Sequence, residues 1–180
     1  IAWENRNANF AKVESLLAAA RPEAGSLVLL PEMFASGFSM NVKVIREGRE
    51  RETERFLAAT SKKFGIYLLG GIVTTKTNGT GSNQSVVFTP AGQELARYTK
   101  IQPFTFGGES DSYDAGRAPV LFEWQGFKVA PFICYDLRFP EHFRTATKRG
   151  AQLITVIANW PVGRIQHWVT LLQARAIENQ

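Results

Sequence analysis

Residues 127–140 read FKVAPFICYDLRFP, and they predict a buried strand, a sharp turn and a helix in immediate succession. The strand is the apolar run 127–133, and Pro140 suits the first turn of the helix that follows. Cys134 stands at the carboxyl end of that strand, where α/β proteins place ligands and chemistry. It is the only cysteine in the chain, so it cannot form an internal disulfide. Cys134 is therefore either a small buried packing residue or a reactive thiol.

Predicted helices and strands alternate on both sides of this stretch. Some strands are joined by hairpin turns and others through helices, so we expect a mixed sheet with helices packed on it. We predict one α/β domain spanning residues 1–180. The predicted helices cover residues 5–20, 50–64, 140–149 and 166–180; the predicted strands cover 26–30, 67–74, 84–89, 94–99, 120–124, 127–133 and 153–158; residues 76–81 are predicted as a turn and 110–118 as irregular.

Two of these elements carry specific burial predictions. The short strand 26–30 is mostly apolar and is expected to be buried on both faces. The first helix, capped by Asn5 or Asn7, is expected to bury an apolar stripe at helical spacing. That stripe consists of Phe10, Val13, Leu16, Leu17 and Ala20.

The composition excludes several classes of protein. Hydrophobic residues make up 44% of the chain and charged residues 21%, which is ordinary for a globular domain, and the net charge of +5 is spread along the sequence. No basic and aromatic cluster suggests nucleic acid, and no apolar run is long enough for a membrane span. One cysteine, two distant histidines and no glycine-rich phosphate loop give no metal or cofactor signature. We therefore predict a cytoplasmic protein without a metal or cofactor.

Three polar residues share one kind of position. Glu32 follows the strand 26–30 after a single proline, Lys100 closes the strand 94–99, and Cys134 closes the strand 127–133. If these strands are neighbours, a carboxylate, an ammonium and a thiol meet at one edge. Each residue also has a structural explanation: a salt-bridged rim carboxylate, a solvated strand end and a buried packing residue, respectively.

The chemistry of acyl transfer has a use for this trio. A thiol is a weak nucleophile until a base removes its proton, and Glu32 could be that base. Attack on a carbonyl or nitrile creates negative charge, which Lys100 and the backbone N–H of Tyr135 could stabilise. The glutamate could then protonate the leaving amine and activate the hydrolytic water.

The segments around these residues resemble the signature motifs of the nitrilase superfamily of carbon–nitrogen hydrolases. Residues 29–34 (LLPEMF), 98–100 (YTK) and 133–140 (ICYDLRFP) resemble its glutamate, lysine and cysteine motifs, in that order. The resemblance covers essentially the whole chain. It implies an αββα four-layer sandwich, a homodimer or larger assembly for the full-length protein, and a catalytic triad of Glu32, Lys100 and Cys134. It also implies that Glu109 is an auxiliary glutamate.

Within the superfamily, the sequence is most similar to the ω-amidase branch, through residues 31–40 (PEMFASGFSM), 158–161 (ANWP) and 174–180 (ARAIENQ). This resemblance implies hydrolysis of the terminal amide of short dicarboxylic acid monoamides such as 2-oxoglutaramate and 2-oxosuccinamate. Such substrates carry a carboxylate, so a positive local field would favour them. Phe38 and Trp160 are either walls of the substrate pocket or ordinary core residues.

The sequence also departs from the family pattern. Gln102 stands where many relatives have a histidine, and by the family pattern a first strand would precede Ile1 and further strands would follow Gln180. We therefore expect an incomplete sandwich. The alternatives are another hydrolase of the superfamily (a nitrilase, an N-carbamoyl hydrolase or an aliphatic amidase) and an inactive fragment that keeps the fold. His142 is expected at the surface and His167 as a packed helix residue.

Overall fold

The computed structural model describes residues 1–47, 49–76 and 79–180. Within these residues, seven strands form two sheets, and helices cover both outer faces. The helices are α1 (Arg6–Ala20), α2 (Val42–Ile45), α3 (Glu52–Phe64), α4 (Glu109–Ser112), α5 (Pro140–Lys148) and α6 (Ile165–Asn179). The strands are β1 (Leu27–Leu29), β2 (Tyr67–Thr75), β3 (Gly81–Phe88), β4 (Glu94–Thr99), β5 (Phe122–Trp124), β6 (Phe127–Ile133) and β7 (Leu153–Ile157).

The first sheet has the order β1-β2-β3-β4, and the second has the order β5-β6-β7. β1 pairs with β2 in parallel, whereas β2, β3 and β4 form antiparallel pairs. β6 pairs antiparallel with β5 and parallel with β7. Both predicted hairpins, β3–β4 and β5–β6, are confirmed, and both sheets combine hairpins with strands linked through helices.

The two sheets face each other between two layers of helices. Tyr98 of β4 meets Phe132 of β6 edge-on, with 5.6 Å between the ring centroids. Behind β6, the Phe132 ring stacks on Phe143 of α5 at 4.3 Å. On the far side of the first sheet, Phe10 of α1 stacks on Phe56 of α3 at 4.0 Å. Within the described residues, this arrangement is the mixed α/β fold, with two sheets between two layers of helices, that the sequence predicts.

The buried stripe of α1 differs from the prediction. Leu16 is 59% exposed and Ala20 is exposed as well, whereas Asn9 is buried in line with Val13 and Leu17. Asn9 can be buried because its amide is fully used: it accepts from the Ala2 N–H at 2.7 Å and donates to the carbonyl oxygens of Ala2 and Ala35. The buried face of α1 thus includes a polar residue, Asn9, which a prediction from apolar residues alone leaves out. Asn5 caps the helix, as predicted, by accepting from the Ala8 N–H.

The strand predicted at 26–30 is shorter and less buried than expected. Among the described strands, β1 lies at the edge of its sheet and pairs with β2 alone, and Leu29 is 39% exposed. Part of the segment 110–118 that was expected to be irregular belongs to α4, and the short helix α2 was not predicted. The predicted turn at 76–81 includes residues 77 and 78, which lie outside the described residues.

No helix in the described ranges is long and apolar enough to cross a membrane. The extent of the domain over residues 1–180 and its self-association stay predictions.

Candidate active site

Glu32 follows β1 and is fully buried. Its backbone lies directly against β2, because the N–H of Gly71 donates to the Pro31 carbonyl at 3.2 Å. A Cβ atom at Gly71 would lie 2.5 Å from the Glu32 Cα, closer than real Cβ contacts allow. Glycine at position 71 therefore permits the close approach that brings Glu32 to this edge of the sheet.

Lys100 follows β4 and is 1% exposed. Its main chain is fixed on both sides: its N–H donates to the Asn83 carbonyl at 2.9 Å, and its own carbonyl accepts from the Gly116 N–H at 2.7 Å. A Cβ atom at Gly116 would lie 2.1 Å from the Thr99 carbonyl oxygen. Here too, a glycine allows a second backbone to pack against the residue that carries the functional group.

Cys134 follows β6, opens a 3-10 turn over Cys134–Arg138, and has a φ of +47°. This left-handed conformation is strained for a residue with a Cβ atom. The turn is fixed by the buried Asp136, whose carboxylate accepts from the N–H groups of Ile133 at 2.9 Å and Gln102 at 2.8 Å, and from the Tyr98 hydroxyl at 2.7 Å. Asp136 thus joins the cysteine turn to the segment that carries the lysine. Burial raises the pKa of Asp136 to about 6, despite these donors.

Four buried side chains form a hydrogen-bonded cluster, hereafter the carboxylate cluster: Glu32, Lys100, Glu109 and Asn83. The Lys100 Nζ lies 2.8 Å from the Glu32 Oε1 and 2.8 Å from the Glu109 Oε2. The Asn83 Nδ2 donates to both carboxylates as well, at 2.8 Å to Glu32 and 2.7 Å to Glu109. An ammonium has three N–H donors, and these contacts use two of them.

Two backbone groups complete the surroundings of the carboxylates. The Asn159 N–H donates to the Glu32 Oε2 at 2.9 Å, and the Phe104 N–H donates to the Glu109 Oε2 at 2.6 Å. Each carboxylate is therefore held by several donors from separate parts of the chain. Their orientation is set by the fold rather than by a single contact.

The thiol of Cys134 and the amine of Lys100 both favour their protonated forms. Burial raises the pKa of Cys134 well above its usual value, and the negative charge of the Glu32 carboxylate raises it further, whereas Lys100 lowers it. Burial alone would lower the pKa of Lys100, but Glu32 and Glu109 outweigh it and raise that pKa. The resting site therefore pairs a protonated thiol with a protonated amine, so the sulfur needs a base before it can attack.

A cavity of about 60 Å³ opens beside Cys134. Aromatic rings form much of its wall, and two arginines, Arg138 and Arg164, supply positive charge. Its lining consists of Phe38, Phe104, Cys134, Tyr135, Arg138, Asn159, Trp160, Pro161 and Arg164. In the described part of the chain, Arg138 and Arg164 form no ion pair with a carboxylate, whereas Arg144 and Arg175 both pair with Glu178. The cavity therefore suits an anionic ligand.

The predicted site residues come together in this structure. Lys100 contacts both Glu32 and Glu109, and Cys134 lies close enough to Glu32 for that carboxylate to raise the pKa of the thiol. Tyr135 follows Cys134 in the turn, and its ring, with those of Phe38 and Trp160, lines the cavity. Phe38 also lies under the ammonium, with the Lys100 Nζ 5.3 Å from the ring centroid. The catalytic roles of these residues stay predictions.

Sequence reasoning assigned no role to several residues that shape the site. Four consecutive polar residues, Ser82 to Ser85, stand in strand β3, which is mostly buried. This polar run was the available signal that Asn83 has a role in the site. Asp136, two residues after the cysteine, is an acid at a strand-to-helix turn, which is a common capping position. Arg138 and Arg164 gave no signal, because surface arginines are common and only the folded chain shows that these two face one cavity.

The two histidines also differ from expectation. His142 is half-buried rather than at the surface, and its Nε2 lies 3.0 Å from the Gln102 Nε2. His167 is exposed rather than packed, and its Nδ1 lies 3.1 Å from an Nη2 of Arg138. In the described residues, no cluster of three or more His, Cys, Asp or Glu side chains is arranged to hold a metal ion.

Comparisons with known proteins agree with the fold. The chain is 34% identical to a 2-oxoglutaramate amidase of Bacillus subtilis over 181 residues, which cover all of this chain and 70% of that protein. It is 37% identical to an omega-amidase of Yersinia enterocolitica over 182 residues, covering all of this chain and 68% of that protein.

Among solved structures, it superimposes on XC1258 from Xanthomonas campestris, a CN-hydrolase superfamily protein, with a TM-score of 0.87 and 34% identity. That match covers 98% of this chain and 68% of the other. The carbon–nitrogen hydrolase family model matches residues 1–180. With its fold and its full length matched, the chain belongs to the carbon–nitrogen hydrolase family of the nitrilase superfamily.

Proposed function

We propose that this protein hydrolyses the terminal amide of short dicarboxylic acid monoamides, of the 2-oxoglutaramate and 2-oxosuccinamate type, through a cysteine thioester. The observation that carries the proposal is the cavity itself. It has a thiol beside the buried Glu32 carboxylate on one side, and two arginines without carboxylate partners in the described residues. The first pair suits amide cleavage, and the arginines suit a substrate with its own carboxylate.

In the proposed first step, Glu32 accepts the thiol proton while the Cys134 sulfur forms a bond to the amide carbon. The carbonyl oxygen becomes an oxyanion, which the Tyr135 N–H and the remaining N–H donor of Lys100 stabilise. The negative charge moves from Glu32 to this oxygen, so the total charge of the site does not change. A base is needed because burial keeps the pKa of the thiol high.

In the second step, the protonated Glu32 gives its proton to the amide nitrogen, the C–N bond breaks, and ammonia leaves a thioester on Cys134. Glu32 then accepts a proton from water, and the water oxygen attacks the thioester carbon. Collapse of that intermediate releases the carboxylic acid and returns the proton to the sulfur. Glu109 holds Lys100, and through it Glu32, in place during both steps.

The relatives support the same branch, since curated proteins at 34% and 37% identity are named 2-oxoglutaramate amidase and omega-amidase. The rival is another hydrolase of the superfamily, which would share the triad and differ only in its pocket. A panel of 2-oxoglutaramate, glutamine and a short aliphatic nitrile, with ammonia release as the readout, separates these possibilities. We expect 2-oxoglutaramate to be preferred, and a preference for the nitrile would overturn the branch assignment.

The second alternative is a chain that keeps the fold without activity. Cys134→Ala tests the mechanism directly, because no other cysteine can substitute for it. We expect ammonia release to fall to background in this variant while the fold, measured by circular dichroism, is retained. Amidase activity equal to that of the wild type would exclude the thioester mechanism.

A further inference from the structure

We propose that His167 is a positioning residue, which holds the Arg138 guanidinium at the cavity and thereby sets the preference for substrates that carry a carboxylate. This inference rests on the proposed function, because it assigns a cause to the selectivity of that same site. It concerns a contact between α6 and the cysteine turn that lies outside the carboxylate cluster.

Arg138 lies over two aromatic rings, which fix the place of its guanidinium but not the direction in which each N–H group points. Its guanidinium carbon lies 5.4 Å from the Trp160 ring centroid and 5.9 Å from that of Tyr135. Cation–π contacts keep a guanidinium near a ring, but they do not choose which of its N–H groups points where. Bidentate recognition of a carboxylate requires that choice, because the donors form a fixed fork.

The hydrogen bond to His167 makes the choice. An arginine has five N–H donors, no acceptor, and no accessible deprotonated state, so it must donate to the His167 Nδ1 at 3.1 Å. The Nδ1 therefore carries a lone pair, which places the ring proton of the neutral imidazole on Nε2. One N–H group of Arg138 is used in this way, and the other four form no hydrogen bond within the described residues.

A histidine suits this task better than an acidic residue would. A carboxylate at the same place would also orient the arginine, but it would neutralise the charge that the substrate needs and compete with it. Arg144 and Arg175 show that alternative, since both are paired with Glu178. A neutral acceptor orients Arg138 and leaves its positive charge available.

The same part of α6 also places the second cation. Arg164 is the residue that precedes α6, and its guanidinium carbon lies 5.5 Å from the Phe104 ring centroid. Its carbonyl accepts from the Trp160 indole N–H at 2.8 Å, and this indole is the ring that carries Arg138. The positions of both arginines therefore depend on the start of α6, and His167 is the residue of α6 that contacts Arg138.

The test uses a matched pair of substrates in the full chain: glutaramate and pentanamide, which have the same length and differ in the terminal carboxylate. For His167→Ala, we expect the KM for glutaramate to rise about tenfold with kcat within about twofold. The kcat/KM ratio of glutaramate to pentanamide then falls about tenfold, equivalent to about 1.4 kcal/mol, or one charge-assisted hydrogen bond. His167→Asn, which can present an amide oxygen near the Nδ1 position, should restore most of the ratio.

The other histidine supplies the control, because His142→Gln removes a ring bonded to Gln102 and away from the cavity, and should leave the ratio unchanged. A wild-type ratio in His167→Ala would overturn the inference, and so would equal losses in His167→Ala and His167→Asn, which would indicate ring packing instead. A wild-type protein that hydrolyses glutaramate no better than pentanamide would instead contradict the proposed function.

Discussion

Replacing Asn83 by aspartate turns the amide nitrogen at the centre of the carboxylate cluster into an oxygen of the same size. The Nδ2 atom donates to Glu32 at 2.8 Å and to Glu109 at 2.7 Å, and both hydrogen bonds would become contacts between acceptors. The cluster holds two carboxylates and one ammonium, so its charge would change from −1 to −2. Asn83 is 1% exposed, so water cannot screen this change.

The expected magnitude follows from the bonds that are lost. Hydrogen bonds to charged groups contribute about 1.5–3 kcal/mol each, so Asn83→Asp should lower the free energy of unfolding by about 3–6 kcal/mol at pH 7. That is a large share of the roughly 5–15 kcal/mol that stabilises a typical domain. The loss should shrink toward pH 5, where the added carboxyl group can take up a proton in the folded state.

Urea unfolding at pH 7 and pH 5 measures this loss, and ammonia release measures the effect on the site. Gln84→Glu is the matched control, since it makes the same chemical change at the next residue of β3. Gln84 is only half-buried, and its Oε1 accepts from Arg97 at 2.9 Å, so an acid is tolerated there. If the free energy of unfolding of Asn83→Asp were within about 1 kcal/mol of the wild-type value and the variant retained full activity, Asn83 would not bridge the two carboxylates.

Three further predictions concern the cysteine turn and the glycine behind the lysine. Because the pKa of Cys134 is raised in the folded protein, the unfolded chain loses its thiol proton at a lower pH than the folded chain. The free energy of unfolding should therefore fall by about 1.4 kcal/mol per pH unit above pH 9.0, the ordinary pKa of a thiol. Urea unfolding between pH 8 and pH 10 measures this decline, and Cys134→Ser should remove it below pH 10, where the buried tyrosines also begin to contribute. The φ of +47° at Cys134 predicts that the Cys134→Gly variant is at least as stable as the Cys134→Ala variant. In regular structure, a glycine variant is usually less stable than the alanine variant by about 0.5–1 kcal/mol. A lower melting temperature for Cys134→Gly than for Cys134→Ala would therefore contradict strain at this turn. Gly116→Ala places a Cβ atom 2.1 Å from the Thr99 carbonyl, so we expect a loss of about 1–3 kcal/mol and a reduced kcat, whereas Gly163→Ala, with open space around its Cβ position, should not be destabilising.

The order of helices and strands was largely predictable because local patterns determine it. The bounds of β4 and β6 and both hairpin turns agree with the sequence, since a glycine turn, at Gly92 and at Gly126, stands just before each of these strands. The predictions for α1 and β1 were wrong where a long-range contact decides burial. Asn9 is buried because its amide finds backbone partners at Ala2 and Ala35, and β1 is an edge strand because, among the described strands, it pairs with β2 alone.

The convergence of Glu32, Lys100 and Cys134 could be anticipated because all three follow predicted strands, and strand ends can share an edge. The contacts of Asn83 could not, because no local rule says which polar residue of a strand faces two carboxylates 26 and 51 residues away. The orientation of Arg138 and Arg164 likewise depends on α6, whose sequence indicates a helix but not what its first turn meets.

The site is divided between the two sheets: Glu32 and Lys100 follow strands of the four-stranded sheet, whereas Cys134 follows a strand of the three-stranded sheet. A molecule in which each sheet has formed but the two have not yet packed together would carry an ordinary thiol with no base beside it. Thioester formation would therefore begin only when the sheets dock. During refolding, the rate at which activity returns would therefore report the rate of docking, while circular dichroism would follow the earlier formation of strands and helices.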